Sequence, residues 1–396
     1  MRFFYCDSGL TNDRGHHANS CRAIAGEMRR RGVETQVLAC VDVDAKLQRE
    51  LGAKPCFLAS TYWLSDGDPI CGWLSAFLFA WRKTADDFRR LDAEIGADDL
   101  VFVNSAMPAQ LLGLISWMTS SAKPFRAVVE FGSDPGLDVT FTETGLNVEV
   151  RDPRIDARGT LYAYAGQQIS ESLLRRLAMA TFDPESSATY SKLLLRPVRT
   201  LPVPRGRVTA ARSRAGSPPL TVAVLGHQRP EKGYSLVPEI FAELSRLFPP
   251  EAVRFLAHHC TADSMRDAHE ALKQLDRCSV DERLADEGTW KELLDRSDLI
   301  LCPYEPGRFA VSYSAIACEA IANGIPFIGP AGTTLERISR EFQSGIAFRE
   351  WTVESIVQTV AKAVGDFDAL AAKAAAGAEK WGRLHGPARC VDAILA

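Results

Sequence analysis

The sequence predicts an α/β protein made of two consecutive parallel-sheet units that face each other across a cleft. Three observations predict it. Short apolar runs alternate with helical patterns along the chain, as parallel strands joined by crossover helices do. The alternation stops at Arg196–Pro219, where Pro, Arg, Ser and Gly dominate and no apolar period survives, and then it restarts. The length, 396 residues, exceeds what one typical domain core fills.

In the first half, Phe3–Cys6 reads as a strand running into a Gly-containing loop, Asp7–His17. A helix follows, with Cys21, Ile24, Ala25 and Met28 at i, i+3, i+4, i+7 spacing and arginines at its end. Gly32 stops it, and Val33–Cys40 is the next strand. Leu100–Val103 and Ala127–Phe131 are further strands, while the polar, turn-rich segment 136–166 gives no readable pattern. The stretch 197–219 is read as a solvated linker, with contact of its arginines to an acidic partner as the alternative. Beyond it, Leu220–Leu225 is a strand, 226–233 a tight polar loop, and Tyr234–Leu247 a helix with Leu236, Val237, Ile240 and Leu244 on one face. Strand Val253–Ala257, a helix around Trp290–Leu294 and strand Leu299–Cys302 follow. A helix from Ser314 to Asn323 stops at Gly324, ahead of strand Pro326–Gly329. An Ala-rich helical stretch, Val353–Trp381, and a last helix, Pro387–Leu395, complete the pattern. The expected organisation is an N-terminal Rossmann-like domain over 1–196, a linker over 197–219, a C-terminal Rossmann-like domain over 220–375, and a C-terminal helical segment, 376–396, packing back on the N-terminal domain.

Composition narrows the function. A formal net charge of −4 and a pI near 6.0 leave no global basic field to recruit nucleic acid. The apolar runs Ile70–Trp81 and Ala109–Met118 fall short of the ~20 residues a spanning helix needs. Both read as buried helices, with peripheral membrane contact as the alternative for the Trp-rich first run. The N-terminus lacks a signal-peptide pattern. Ten cysteines, with no C-x-x-C pair and no Cys/His cluster, argue against zinc and against a disulfide framework and indicate a cytoplasmic protein.

Open parallel sheets bind ligands at the carboxyl ends of their strands, where loops run into helix N-termini. Three loops qualify. The first is Gly226-His227-Gln228-Arg229-Pro230-Glu231-Lys232-Gly233, where Arg229 and Lys232 place two cations at a helix entrance. Positive charge there stabilises a departing diphosphate; a strand-to-helix turn with a solvated basic edge is the plainer reading. The second runs from Pro303-Tyr304-Glu305 to Ser312-Tyr313-Ser314 and into a helix whose N-terminal amides favour an anion. Glu319 lies about one and a half turns into that helix, and its carboxylate is either solvent-facing or an acceptor for vicinal ribose hydroxyls. The third is Gly15-His16-His17 after the first strand, a structured loop with no third metal ligand nearby.

Taken together, these residues resemble the donor-binding half of retaining GT-B glycosyltransferases of the family 4-like, group 1 type. Members carry a strand, a G-x-x-x-x-x-Lys-Gly loop, a P-x-x-E segment and E-A-x-A-x-G-x-P. Here Gly226 leads to Lys232-Gly233, then come Pro303-Tyr304-Glu305 and Glu319-Ala320-Ile321-Ala322-Asn323-Gly324-Ile325-Pro326, with Gly332 and Glu336 closing the pattern over roughly 220–348. The resemblance implies that Lys232 and Arg229 hold the donor diphosphate. It implies that Gly226 shapes the loop, that amides around Ser312, Tyr313 and Ser314 hold phosphate, and that Glu319 holds the ribose. Gly15 would let the N-terminal loop approach the donor sugar, with Glu305 as the upstream carboxylate. Two departures stand out. His227 occupies the usual arginine position, and Val311 stands where the family often places its first glutamate. His16, His17 and Asp134 are candidates by position for the N-terminal catalytic group.

The expected activity is transfer of a hexose from a UDP- or GDP-sugar to an acceptor hydroxyl with retention, with no cofactor, no metal and no transmembrane segment. The acceptor (glycan, lipid, protein or small molecule) is unnamed by the sequence and should bind the N-terminal domain. The alternatives are a non-catalytic sugar-nucleotide- or partner-binding protein of the same fold, and a sugar-nucleotide epimerase.

Overall fold

The computed structural model describes residues 1–13, 15–61, 71–132, 134–142, 145–209, 219–259 and 265–396. The chain divides into two compact units. Unit 1 comprises Met1–Thr140, Asn147–Pro204 and Pro387–Ala396; unit 2 comprises Phe141–Leu146 and Arg205–Gly386.

Unit 1 is built on β1 (Phe3–Asp7), β2 (Thr35–Cys40), β3 (Ala53–Phe57), β4 (Leu100–Val103) and β5 (Arg126–Glu130). The ribbon of β6 (Leu137–Thr142) and β7 (Gly145–Val150) follows, its segment Phe141–Leu146 counted with unit 2, then β8 (Leu177–Thr181) and β9 (Val198–Thr200). All but β6 and β7 form one parallel sheet in the order β3-β2-β1-β4-β5-β8-β9. Strand order reverses between β1 and β4, so the connections leaving these neighbouring strands diverge to opposite flanks and leave a crevice at their carboxyl ends. Phe3–Asp7 and Leu100–Val103 are buried throughout, as strands covered on both faces must be. The apolar run Ala109–Met118 forms most of helix Pro108–Ser120, whose Leu111, Leu112, Leu114 and Trp117 lie in the core. Ile70 of the other run lies outside the described residues. Its remainder enters helix Cys71–Arg90, which buries Phe77 and Ala80 and exposes Leu74, Leu78 and Phe79.

Unit 2 repeats the plan with β10 (Leu220–Val224), β11 (Val253–His258), β12 (Cys278–Asp281), β13 (Leu299–Leu301), β14 (Phe327–Pro330) and β15 (Gly345–Phe348). These run parallel in the order β12-β11-β10-β13-β14-β15. Helix Val237–Leu247 buries Ile240, Phe241 and Leu244 against Val222, Val224 and Phe255. No helix among the described residues is long and apolar enough to cross a membrane.

Three expected boundaries move. The segment 197–219 is not a solvated linker throughout. Val198–Thr200 adds an edge strand to unit 1, Leu201 and Val203 are buried, and 205–209 dock within unit 2; residues 210–218 lie outside the described ones. The Ala-rich stretch is two helices, Val353–Gly365 and Phe367–Leu384, divided at Asp366, whose ψ of 17° leaves the helical well. Of 376–396, the part up to Gly386 belongs to unit 2. Helix Pro387–Leu395 packs within unit 1 on helix Gly15–Arg30. There Cys390, Val391 and Ile394 are buried, and Arg31 donates to Asp392 (2.6 Å) and to the Ala388 carbonyl (2.8 Å).

Candidate donor-nucleotide site

In unit 2 the candidate residues gather where β10, β13 and the helix after it end or begin. Beyond β10 the chain turns at Gly226, runs through Arg229, forms one 3-10 turn over Pro230–Lys232 and reverses at Gly233. Gly233 has φ 66°, and a Cβ there would lie 1.9 Å from the Pro303 carbonyl oxygen. The two loops are therefore pressed together, and the Glu305 amide donates to the Glu231 carbonyl (2.9 Å) across the junction. Gly233→Ala is expected to cost about 2–5 kcal/mol, from backbone strain plus overpacking. Chemical denaturation checks the loss.

Lys232 is half-buried against the Tyr304 ring, its Nζ 5.6 Å from the ring centre. Burial, then Arg229 nearby, pulls its ammonium down to about 8. Arg229 itself is exposed and pairs loosely with Glu231 at 3.7 Å. The loop thus offers one desolvated cation and one solvated one. Gln228, which sequence reasoning passed over, is buried and donates to the Gly226 and His258 carbonyls, fixing the loop to the end of β11.

The second loop is fastened from behind. Thr334 donates to the Ser312 carbonyl (2.6 Å) and Arg337 to the Ala310 carbonyl (3.0 Å). Trp351 donates to the Pro303 carbonyl (2.9 Å). Glu305 is half-buried, and its carboxylate makes no hydrogen bond or ion pair with another described residue. Ser314 caps helix Ala315–Ala322 by accepting from the Ala317 amide (3.3 Å). The amides of Ser312, Ser314, Ala315 and Ile316 have no backbone partner among the described residues, so the positive end of the helix dipole is left for an anion. Val311 is buried at 4% exposure and brings no charge to this edge.

Glu319 is not solvent-facing. It is 7% exposed, and its Oε2 accepts from the Trp290 indole N–H, while the Arg205 guanidinium stands 3.4 Å from Oε1. Burial pushes its carboxyl up, opposed by Arg205 and the indole. Neither Arg205 nor Trp290 was singled out from sequence for this role. Each lies far along the chain in a segment whose texture suggested a linker or an ordinary helix.

The N-terminal candidates belong to unit 1. Gly15, at φ 70°, opens helix Gly15–Arg30, and a Cβ there would meet nothing within 4 Å. His16 is exposed, whereas His17 is 6% exposed, and its Nδ1 donates to the Asp7 carboxylate at 2.8 Å and 2.9 Å. Asp7 ends β1 and also accepts from the Gly9 amide (2.9 Å) and Asn104 Nδ2 (2.9 Å) at the end of β4. A buried aspartate thereby fixes one imidazole tautomer at the crevice of the sheet. Asp134 is committed elsewhere. It accepts from the Gly136 amide (3.1 Å) and meets Arg158 at 3.4 Å and Arg151 at 3.8 Å, which marks it as a turn anchor. No group of three His, Cys, Asp or Glu side chains among the described residues is arranged to hold a metal.

No protein-family model matches the sequence, and no curated protein matches it. Solved structures do match its fold. A sucrose-phosphate synthase from Thermosynechococcus elongatus superposes with a TM-score of 0.66 at 13% identity, covering 100% of this chain and 96% of its own. The Anabaena protein HepE in complex with UDP gives 0.67 at 13% identity, with 100% and 98% covered. A protein of Listeria monocytogenes described as a UDP-N-acetylglucosamine 2-epimerase gives 0.59 at 12%, with 100% and 94% covered. Both parallel sheets are accounted for over the whole chain by these likenesses, and this protein has the GT-B fold of two Rossmann-like domains.

Proposed function

We propose that the protein is a glycosyltransferase moving a hexose from a UDP- or GDP-sugar to an acceptor hydroxyl, with retention of configuration. The observation that carries this reading is the half-buried Lys232 beside the helix N-terminus: a Cβ on Gly226 would lie 2.9 Å from Ile316 Cδ1 and 3.8 Å from Lys232 Nζ. A desolvated ammonium and uncommitted amides form the environment a departing diphosphate needs. Glu319 lies inside the same helix for the ribose, and Glu305, with its carboxylate uncommitted, is the proposed partner of sugar hydroxyls in place of the family's first glutamate. The bound UDP in the HepE structure supports a uridine nucleotide for a fold of this kind.

In this mechanism the bond between the anomeric carbon and the diphosphate oxygen breaks, and the acceptor oxygen bonds to the same face. The acceptor proton passes to the departing diphosphate. Lys232 and Arg229 hold the charge that develops, and the nucleotide sugar is a co-substrate that needs no further cofactor. His17, held by Asp7, is the proposed partner of the acceptor hydroxyl in unit 1. The acceptor itself is a glycan, lipid, protein or small molecule, and helix Cys71–Arg90, with Leu74, Leu78 and Phe79 exposed, is where peripheral membrane contact would occur.

Calorimetric titration with UDP, GDP and their sugar conjugates tests the reading. One nucleotide is expected to saturate a single site, and product configuration is then read by proton NMR. Silence with every nucleotide by a folded protein would sink it. A second reading, a sugar-nucleotide-binding protein without turnover, is favoured by the buried Val311. Slow donor hydrolysis in the absence of acceptor distinguishes the enzyme from it.

A further inference from the structure

Arg205 is 6% exposed, and the charge it faces is Glu319. It opens the part of the connecting segment that belongs to unit 2. That segment is strapped to the helix carrying Glu319. Asn323, one turn beyond Glu319, accepts through Oδ1 from the Val208 amide (2.9 Å), the Thr209 amide (2.9 Å) and the Thr209 hydroxyl (3.0 Å). Its own Nδ2 donates to the Glu319 carbonyl (2.8 Å). From the other side, the Trp381 indole donates to the Arg205 carbonyl (2.8 Å). The Arg205 backbone is therefore fixed, and with it the reach of its guanidinium.

We propose that Arg205 and Trp290 are positioning residues for a ribose-binding carboxylate, supplying Glu319 with a counter-charge and aiming it so that it selects nucleotides with a vicinal diol. The inference rests on the donor-site reading above. The argument is one of lone pairs and charge. A carboxylate has two oxygens with about four acceptor directions. The Trp290 N–H takes one on Oε2, and Arg205 flanks Oε1, which leaves one direction on each oxygen for the two hydroxyls of a ribose. Without a counter-charge the buried carboxyl would take up a proton, and a neutral acid offers one acceptor oxygen and a donor instead of two acceptors. Arg205 is the charge that acts on Glu319; His258 stands behind Trp290, ring centres 6.3 Å apart. Because Arg205 is anchored through the connecting segment, the donor site borrows its charge from outside the Rossmann sheet.

The test is calorimetric titration of the full chain with UDP and 2′-deoxy-UDP (or GDP and 2′-deoxy-GDP, whichever the wild type binds) across pH. Wild type, Arg205→Met, Arg205→Lys, Trp290→Phe and Lys232→Ala are compared. Arg205→Met is expected to weaken the ribonucleotide by about 10-fold to 100-fold and to bring the ribose-to-deoxyribose ratio near one. Its affinity should also fall as pH drops, from a higher pH than in the wild type, because the unpaired Glu319 protonates more readily; titration of the nucleotide's terminal phosphate is common to both proteins and cancels in the comparison. Arg205→Lys, which keeps the charge, should restore the wild-type profile, and it keeps the question open to refutation should Arg205→Met fail to fold. Trp290→Phe should weaken binding and move the pH dependence in the same direction as Arg205→Met but by less, because the indole also holds the carboxyl down. Lys232→Ala should weaken both sugars equally and leave their ratio intact. Retention of the wild-type ratio and pH profile in Arg205→Met overturns the inference while leaving the donor site standing. Absence of nucleotide binding in the wild type overturns the donor-site reading and this inference with it.

Discussion

Lys232→Ala is expected to lower kcat/KM for the nucleotide sugar by about 10²–10³-fold, the usual consequence of removing one preorganised group from a developing anion. Lys232 acts from a half-buried place, so its charge is screened less than that of the exposed Arg229. Arg229→Ala should therefore cost less. The same burial sets two pH dependences of opposite sign. Diphosphate binding needs the ammonium, so affinity declines as pH rises through about 8. Folding responds the other way. An unfolded lysine keeps its proton to about 10.4, so between about 8 and 10.4 the unfolded chain binds more protons, and the unliganded protein gains stability as pH rises. Titration calorimetry and denaturant midpoints over that window read the two effects, and Lys232→Ala should flatten both. A wild-type affinity that rises from pH 7 to 9 would contradict this account of the loop.

His17→Ala is expected to lower kcat by about 10²-fold or more while leaving nucleotide affinity as it was, because the side chain orients the acceptor hydroxyl. The proposed nucleotide site lies in unit 2, whereas His17 and Asp7 lie in unit 1. Asp7→Asn should follow the same pattern, since an amide cannot hold the imidazole tautomer as a carboxylate does. Single-turnover rates measured beside nucleotide dissociation constants separate the two. A thermal midpoint for each variant guards against a folding defect, which matters most for Asp7 because Gly9 and Asn104 also donate to it. Unchanged kcat in folded His17→Ala would make the pair a structural anchor of the β1 crevice.

The two sheets were legible where strands are covered on both faces. Phe3–Cys6, Leu100–Val103, Leu220–Leu225 and Leu299–Cys302 are near-continuous apolar runs. The unread strands include the edges: β3 carries Lys54 and Pro55, β12 reads Cys-Ser-Val-Asp, and β9 and β15 are three and four residues long. An edge strand has one neighbour and keeps little of the apolar signature. β8 is interior, yet its Leu-Ala-Met-Ala-Thr composition suits a helix equally well. At the site, the Gly226–Gly233 loop was legible because its glycines and cations sit side by side in sequence. Arg205 and Trp290 were not, because a buried ion pair is written in two places with nothing local to join them. Glu319 shows the same limit. Among alanines its pattern fits a surface position, and only the partners brought by folding show why a carboxylate lies buried there.

Helix Pro387–Leu395 has a consequence for biosynthesis. It covers part of helix Gly15–Arg30, so unit 1 is completed only by residues made after the whole of Arg205–Gly386. At a synthesis rate of about 5–20 residues per second, that surface stays uncovered for roughly 10–40 seconds after the rest of unit 1 has emerged. During that interval Cys21, Ile24 and Met28 belong to a nascent domain with an unfinished flank, which is where a chaperone would be needed most. Unit 2, contained between Arg205 and Gly386 apart from the short piece Phe141–Leu146, carries no such delay.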